Sequence, residues 1–271
     1  MNDAGRHVDD VGALIDAALR HGRTHGLEVY LLRNSGLPGP RLNLQLVESF
    51  ARAISMSATQ SGRVVAAVAM LDAWAALPPT VAAVNTPSVV LPATAVRTYG
   101  SLAIADAAWW DDAAGRLHHA ASDARWRVRE MVAIALQQML DADWTRTCSM
   151  MRRWMTTEDA LVVRAAAAAV AEPRLLRAAH QAADALAVQE AALLWFAALP
   201  IARRHTEASQ ILRQALGYTI SVAVAAAPAA GLALLAGLEG QRDSDLHWIW
   251  RENRKKSRLK HLIQGAPDAA V

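Results

Sequence analysis

Apolar residues recur at three- and four-residue steps along much of the chain, which is the spacing of one face of an α-helix. Proline and glycine interrupt these stripes where helices should end, and we find no strand pattern. The clearest stripe follows Trp126 and consists of Val128, Met131, Val132, Ala135, Leu136 and Met139. The whole pattern predicts helices at 8–22, 41–57, 60–77, 88–104, 107–121, 124–140, 143–155, 159–171, 173–187, 188–199, 206–226, 229–238 and 245–263.

The uncharged segment Thr219–Leu238 is long enough to be tested as a membrane span, since about twenty apolar residues cross a bilayer. Most of its residues are alanine or glycine, and Pro228 lies in the middle. A proline at this place favours two buried helices over one continuous span. We therefore expect no contact with a membrane.

Composition agrees with an all-α fold. Hydrophobic residues make up 54% of the chain, much of it alanine, while aromatic residues make up only 5%. Alanine favours helix and lets neighbouring helices pack closely. One cysteine, Cys148, excludes a disulfide framework, and MNDAGRHVDD has no apolar core like that of a secretory leader. Both features favour a cytoplasmic protein.

Positive charge is concentrated near one end of the chain. The net charge is only +3, yet residues Arg251–Lys260 alone carry +5, so the remainder carries −2. A local row of cations is typical of a surface that binds a polyanion. We predict a basic helix over 245–263 that contacts nucleic acid, suggested here as duplex DNA. Its predicted binding residues are Arg251, Arg254, Lys255 and Arg258. The alternative is a capping helix whose charged face is only solvated.

A short pattern recurs along the chain. DARWRVRE at 123–130 and DLHWIWRE at 245–252 share Asp, Trp, Arg and Glu at the same spacing, and EDALVVRA at 158–165 is a weaker copy. Repeats of 35–45 residues built from helix pairs are typical of α-solenoids. The pattern predicts one solenoid domain of antiparallel helix pairs over 1–271. Its recurring arginines Arg129, Arg164 and Arg251 would line a nucleic-acid surface, or else bind acidic or capping groups within their own repeats.

These motifs resemble HEAT-like repeats, particularly those of the bacterial DNA alkylation repair superfamily. The resemblance rests on D-x-x-W-x-x-R-E, on WIWRENRKKSRL, on SGLPGPRLNLQL at 35–46, and on WWDDAAG at 109–115. It implies a solenoid that holds duplex DNA on a concave basic surface. The characterised enzymes of that family are alkylpurine DNA glycosylases, which use Trp, Asp and Arg side chains on that surface.

The carry-over of the family's site residues is incomplete. Trp110 and Asp111 match the family's WWD, which makes Trp110 a candidate for stacking on a base, with packing in the core as the alternative. The position of the family's catalytic aspartate is Ala114. Asp111 and Asp112 are therefore weak catalytic candidates, and enzymatic activity is left open.

Other chemistry finds little support in the sequence. His21 and His25 are spaced like metal ligands, but neighbouring glycines and the lack of further ligands argue against a site. No phosphate-binding loop, nucleophile elbow or zinc-protease motif is present. We predict no metal and no cofactor. The leading hypothesis is a DNA-binding helical-repeat protein; the alternatives are a protein-interaction scaffold and an active alkylpurine DNA glycosylase.

Overall fold

In the computed structural model of the chain, polar side chains begin several helices at the predicted boundaries. Asn43, Asp143, Asp159 and Thr206 each accept a hydrogen bond from a backbone N–H two or three residues further on. Such caps satisfy donors that the helix itself leaves unpaired. The structure describes the backbone of residues 3–264 and the side chains of residues 11–262. The ends of the predicted domain, 1–2 and 265–271, lie outside the described residues.

The described residues form helices and no strand, which confirms the all-α prediction. Single 3-10 turns lie at Pro87–Val89, Ala107–Trp109 and Pro173–Leu175. The helices are α1 (Asp3–His21), α2 (His25–Asn34), α3 (Leu44–Gln60), α4 (Val64–Ala75), α5 (Val90–Ala105), α6 (Trp110–Ala120), α7 (Trp126–Ala142), α8 (Trp144–Trp154), α9 (Ala160–Ala169), α10 (Ala179–Ala197), α11 (Ile201–Arg204), α12 (Glu207–Ala226), α13 (Pro228–Glu239), α14 (Ser244–Arg254) and α15 (Ser257–Gln264).

Three predicted helices are wrong in extent, and the short helices α2 and α11 were not predicted. The pair expected at 173–187 and 188–199 is one helix, α10, because nothing breaks the chain near Gln189 and helical residues begin only at Ala179. The basic helix expected over 245–263 is two helices, α14 and α15, separated at Lys255 and Lys256. The short helix α2 was not predicted, since its buried face consists of only Leu27 and Leu31.

The chain divides between Ala142 and Asp143 into two compact units. In the first unit, α5 packs against α2, α3, α4, α6 and α7. Thirteen of its sixteen residues are buried, so this helix is enclosed by its neighbours. At Gly100 an added Cβ would lie 3.0 Å from the Cβ of Ala135, so the absence of a side chain allows α5 and α7 to touch.

A buried arginine ties three helices of the first unit together. Arg97 of α5 is 1% exposed and donates to Glu48 of α3 from Nη2 at 2.6 Å and from Nε at 3.1 Å. Gln138 of α7 donates to the same carboxylate at 2.9 Å. Burial lowers the pKa of Arg97, and Glu48 opposes that shift. The buried guanidinium is therefore held by a paired, hydrogen-bonded partner, as a charge in an interior requires.

In the second unit, α12 has the corresponding central place. It packs against α9, α10, α13, α14 and α15. Residues 219–224 of this helix are all buried, and six consecutive helical residues point in every direction around the axis. The buried Gln189 of α10 donates to the carbonyl of Ala167 at 2.7 Å and accepts from the hydroxyl of Thr219 at 2.8 Å. This amide links α9, α10 and α12.

The contact between α12 and α14 depends on Asn253, which is 0% exposed. Its Nδ2 donates to the carbonyls of Leu216 and Ile249, both at 2.8 Å, and its Oδ1 accepts from the N–H of Ser221 at 2.7 Å. Close to these bonds, an added Cβ on Gly217 would lie 2.8 Å from the ring of Trp248. One amide and one missing side chain thus fix the end of α14 on α12.

The segment Thr219–Leu238 is divided near Ala227 into α12 and α13, as Pro228 predicted. None of the helices in the described part of the chain combines the length and the apolar character that a membrane span needs. Within each unit, helices two apart in the chain pack together, such as α3 with α5 and α12 with α14. The solenoid of helix pairs and the single domain over 1–271 stay predictions.

We predict that Asn253→Ala lowers the free energy of unfolding by about 2 kcal/mol, because a buried backbone group that loses its partner costs about 1–3 kcal/mol. Urea denaturation followed by circular dichroism measures this change. The control is Arg251→Ala at an exposed position of the same helix, where a change within about 0.5 kcal/mol is expected. Equal stability of the two variants would contradict the anchoring role of Asn253.

Candidate functional site

The strongest candidate is the cationic segment, which we define as residues Arg251–Lys260 at the end of α14 and the start of α15. Its predicted binding residues lie together in the second unit and reach solvent. The side chains of Arg251, Arg254 and Lys255 are 54%, 41% and 58% exposed. Exposed guanidinium and ammonium groups can contact phosphate without a conformational change.

Two carboxylates lie among these cations. Glu252 accepts a hydrogen bond from Nζ of Lys255 at 2.6 Å and lies 3.8 Å from Nε of Arg251. The hydrogen bond from Lys255 lowers the pKa of Glu252. Glu239 of α13 lies 3.5 Å from Nη1 of Arg254. The six cations of the segment outnumber the carboxylates of Glu252 and Glu239, so the net charge of this surface is positive. Surface ion pairs of this kind are weak, and a phosphate can therefore replace either carboxylate.

Aromatic rings accompany the cations. The guanidinium of Arg258 lies 4.7 Å from the ring centre of Tyr218 on α12, and its Nη2 donates to the tyrosine hydroxyl at 3.0 Å. Nζ of Lys256 lies 5.5 Å from the same ring. In α14, Arg254 lies 4.7 Å from the ring centre of Trp250. Cation–π contacts thus hold three cations of the segment against rings.

Tyr218 is a candidate binding residue that the sequence did not predict. It is 47% exposed although the residues that follow it in α12 are buried. It lies forty positions before Arg258, and no periodicity in the sequence connects the two. A signal was present only in composition, since Tyr218 is one of three tyrosines in the chain.

The structure corrects two predicted nucleic-acid-binding residues of the first unit. Arg129 is buried, and its Nη1 donates to the carbonyls of Asp123 at 2.7 Å and Ala124 at 3.0 Å. It therefore secures the loop before α7, as the intra-repeat alternative expected. Trp110 is only 4% exposed, so its indole packs in the core and is not accessible to a base. Arg164 lies on α9 of the second unit and is partly buried.

The repeated octapeptide does not occupy one structural register. Asp123 precedes α7 by three positions, whereas Asp245 is the second residue of α14. In the weaker copy, Asp159 and not Glu158 caps the helix. Asp123 binds Arg125 through two hydrogen bonds, and Asp245 binds Arg213 at 2.7 Å. The matching letters therefore mark different local structures, and Arg129 and Arg251 differ in burial for that reason.

The weak catalytic candidates line a cleft of about 780 Å³ in the first unit. Asp111 and Asp112 are exposed at the start of α6, and Nη1 of Arg116 lies 3.7 Å from Asp112. Beside them, Asp72 accepts from Tyr99 at 2.7 Å and from Nε and Nη2 of Arg116 at 2.8 and 2.9 Å. The volume suits a small molecule, and the carboxylates suit a cationic group rather than a phosphate.

The hydrogen bonds among Asp72, Tyr99 and Arg116, which line this cleft, shift the pKa of each group. Burial alone would raise the pKa of Asp72, but hydrogen bonds from Arg116 and Tyr99 outweigh it and lower that pKa. Burial, together with the hydrogen bond to Asp72, raises the pKa of Tyr99. Arg116 gains from the same bonds, which raise its pKa. Asp72 therefore stays ionised and Tyr99 protonated near neutral pH.

The structure also bears on a metal site and on the reactivity of Cys148. The side chains described include no cluster of three or more His, Cys, Asp or Glu residues arranged to hold a metal ion. Burial raises the pKa of the Cys148 thiol to about 12. Since the thiolate is the reactive form, this cysteine packs as an apolar side chain.

Comparisons with known proteins give no family. No protein-family model and no curated protein matches the chain. Among solved structures, the chain is similar to the crystal structure of an engineered protein from the Northeast Structural Genomics Consortium, at 16% identity. The similarity covers 95% of this chain and 98% of that one, with a TM-score of 0.41.

We predict that Tyr99→Phe flattens the loss of stability at alkaline pH. The pKa of Tyr99 is higher in the folded chain than its ordinary value of 10.0. The stability that this shift gives is therefore complete below about pH 10 and is lost as the pH rises through the folded-state value. Urea unfolding at about pH 9 and about pH 11.5 should show a larger loss for the wild type than for Tyr99→Phe.

Tyr30→Phe is the matched control, because Tyr30 lies on α2 and does not line the cleft. It should lose as much stability as the wild type over the same pH interval. Identical pH dependence of all three proteins would show that the hydrogen bond to Asp72 does not protect Tyr99 from ionisation.

Proposed function

We propose that this protein binds nucleic acid, duplex DNA included, through the cationic segment Arg251–Lys260. The observation that carries the proposal is the exposure of Arg251, Arg254 and Lys255 together at the C-terminal end of α14. A row of exposed cations neutralises successive phosphates and releases their counterions. Contacts of this kind position a protein on nucleic acid without reading its sequence.

Charge distribution supports the same surface. The rest of the chain taken together carries a net charge of −2, and the cleft in the first unit presents carboxylates that repel phosphate. Arg129 and Trp110 are buried and do not belong to the proposed surface. The proposal therefore places the contact on α14 and α15, with Arg251, Arg254, Lys255 and Arg258 as the phosphate-binding residues.

A helical-repeat scaffold of the HEAT type and a cytoplasmic location belong to the same proposal. Packing of α3 with α5 and of α5 with α7 in the first unit, and of α10 with α12 and α12 with α14 in the second, is what stacked helix pairs produce. This packing supports the repeat hypothesis within each unit. The resemblance to alkylation repair proteins stays part of the proposal.

Two alternatives give different results in simple assays. Release of methylated purines from treated DNA, lost in Asp111→Asn and Asp112→Asn, would favour a glycosylase that uses the cleft. A stoichiometric protein partner, with no affinity for DNA, would favour a scaffold. We place binding without catalysis first, because exposed cations can bind phosphate by themselves, whereas catalysis would need a further catalytic group.

We predict that affinity for a duplex of about 15 base pairs falls steeply with salt. If four cations each neutralise one phosphate, the slope of log Kobs against log salt is about −3.6, which is roughly a 100-fold loss between about 50 and about 200 mM salt. Arg251→Glu with Arg254→Glu should weaken binding by at least about tenfold and make the slope less steep by about 2. Fluorescence anisotropy at several salt concentrations measures both quantities.

The matched control is Arg153→Glu with Arg177→Glu, which changes the net charge by the same amount at exposed positions on other elements of the second unit. It should bind within about threefold of the wild type, because non-specific affinity depends on the cations that meet phosphate. Equal loss of affinity in both double variants would show that only net charge matters, and would overturn the assignment to this segment.

A further inference from the structure

The cationic segment differs from a plain solvated row because its arginines stand against aromatic rings. Arg254 is paired with Trp250, and Arg258 with Tyr218, at 4.7 Å in each case. His247 adds a second ring 5.0 Å from that of Trp250. The phosphates of a duplex interact with the cations but not with the aromatic rings. A ligand that contacts both the cations and the rings therefore needs accessible apolar faces.

Tyr218 is held firmly and is still accessible. The bonds of Asn253 to Leu216 and Ser221 lie on either side of it in the chain. An added Cβ on the neighbouring Gly217 would lie 2.8 Å from the ring of Trp248, so the backbone that carries the tyrosine is packed closely against α14. Even with Arg258 and Lys256 beside it, Tyr218 is 47% exposed. A ring that is carried by a packed backbone and already held by Arg258 loses little conformational freedom when it stacks on a partner.

We propose that this surface prefers single-stranded nucleic acid, with an unpaired base stacking on the Tyr218–Arg258 pair while Arg251, Arg254 and Lys255 hold the backbone. The inference rests on the proposed function and names its substrate class. Bases stack on aromatic rings and on guanidinium planes, and every base has a suitable face. In a duplex these faces are covered by neighbouring base pairs, so the Tyr218–Arg258 pair has no base face on which to stack.

The experiment compares a fluorescent oligothymidine of about 15 nucleotides with a blunt duplex of about 15 base pairs, using the full chain. Tyr218→Ala should weaken binding of the single strand by about tenfold. Its affinity for the duplex should stay within about twofold. Tyr218→Phe keeps the ring and should retain most of the single-strand affinity, which separates loss of stacking from loss of the hydroxyl bond.

Arg258→Lys gives a second test that does not depend on removal of the tyrosine ring. Lysine keeps the charge but has no planar group. The variant should bind the single strand several-fold more weakly, while the slope of log Kobs against log salt stays the same because the positive charge is kept. Its affinity for the duplex should stay within about twofold of the wild type. Single-strand affinity within about twofold of the wild type would mean that the charge of Arg258 suffices, and would overturn the stacking role.

The outcomes separate this inference from the proposed function. Wild-type protein that binds both ligands with steep salt dependence but without preference, and loses both equally in Tyr218→Ala, overturns the single-strand inference alone. Protein that binds neither ligand at about 50 mM salt overturns the proposed function and the inference with it. Circular dichroism confirms that each variant is folded before its affinity is interpreted.

Discussion

The enclosure of one helix in each unit is the constraint on which the rest of the structure depends. α5 and the middle of α12 are surrounded by neighbours, so their crossings need residues with little or no side chain. Gly100 leaves the space that α5 needs to approach α7, and Gly217 leaves the space that α12 needs beside the ring of Trp248. The abundance of alanine serves the same need. Close approach compensates for the small apolar area that each alanine buries, since dispersion forces grow with the number of atoms in contact.

Enclosed helices also dictate which polar groups lie inside. Most polar side chains in a protein interior are hydrogen-bonded. Arg97, Gln189 and Asn253 have such partners, whereas the buried hydroxyl of Thr94 in α5 has none. The hydrogen bonds of Asn253 have a consequence at the surface. Asn253 lies within the cationic segment and bonds to the backbone of α12, so it anchors the start of the segment close to Tyr218. The internal hydrogen bonds therefore determine how cations and rings are presented to solvent.

The sequence predicted well those features that depend on neighbours in the chain. The stripe of α7, the break at Pro228 and the local excess of cations after Arg251 all follow from spacing and composition. Features that depend on tertiary neighbours were not predictable. The repeated Arg of the octapeptide looked equivalent at 129 and 251, yet one side chain turns to carbonyls of its own loop while the other is exposed. The division of the basic helix also depends on tertiary contacts, since Asn253 and Leu259 are both buried.

Hydrogen exchange of the full chain, with and without an oligothymidine at low salt, tests the central claim most directly. Amides that a ligand covers or stabilises exchange more slowly. If the cationic segment and Tyr218 form the interface, slower exchange will appear in peptides that cover 245–262 and 216–221. Slower exchange confined to the cleft around Asp111, or unchanged exchange over the whole chain at saturating oligonucleotide, would contradict this assignment.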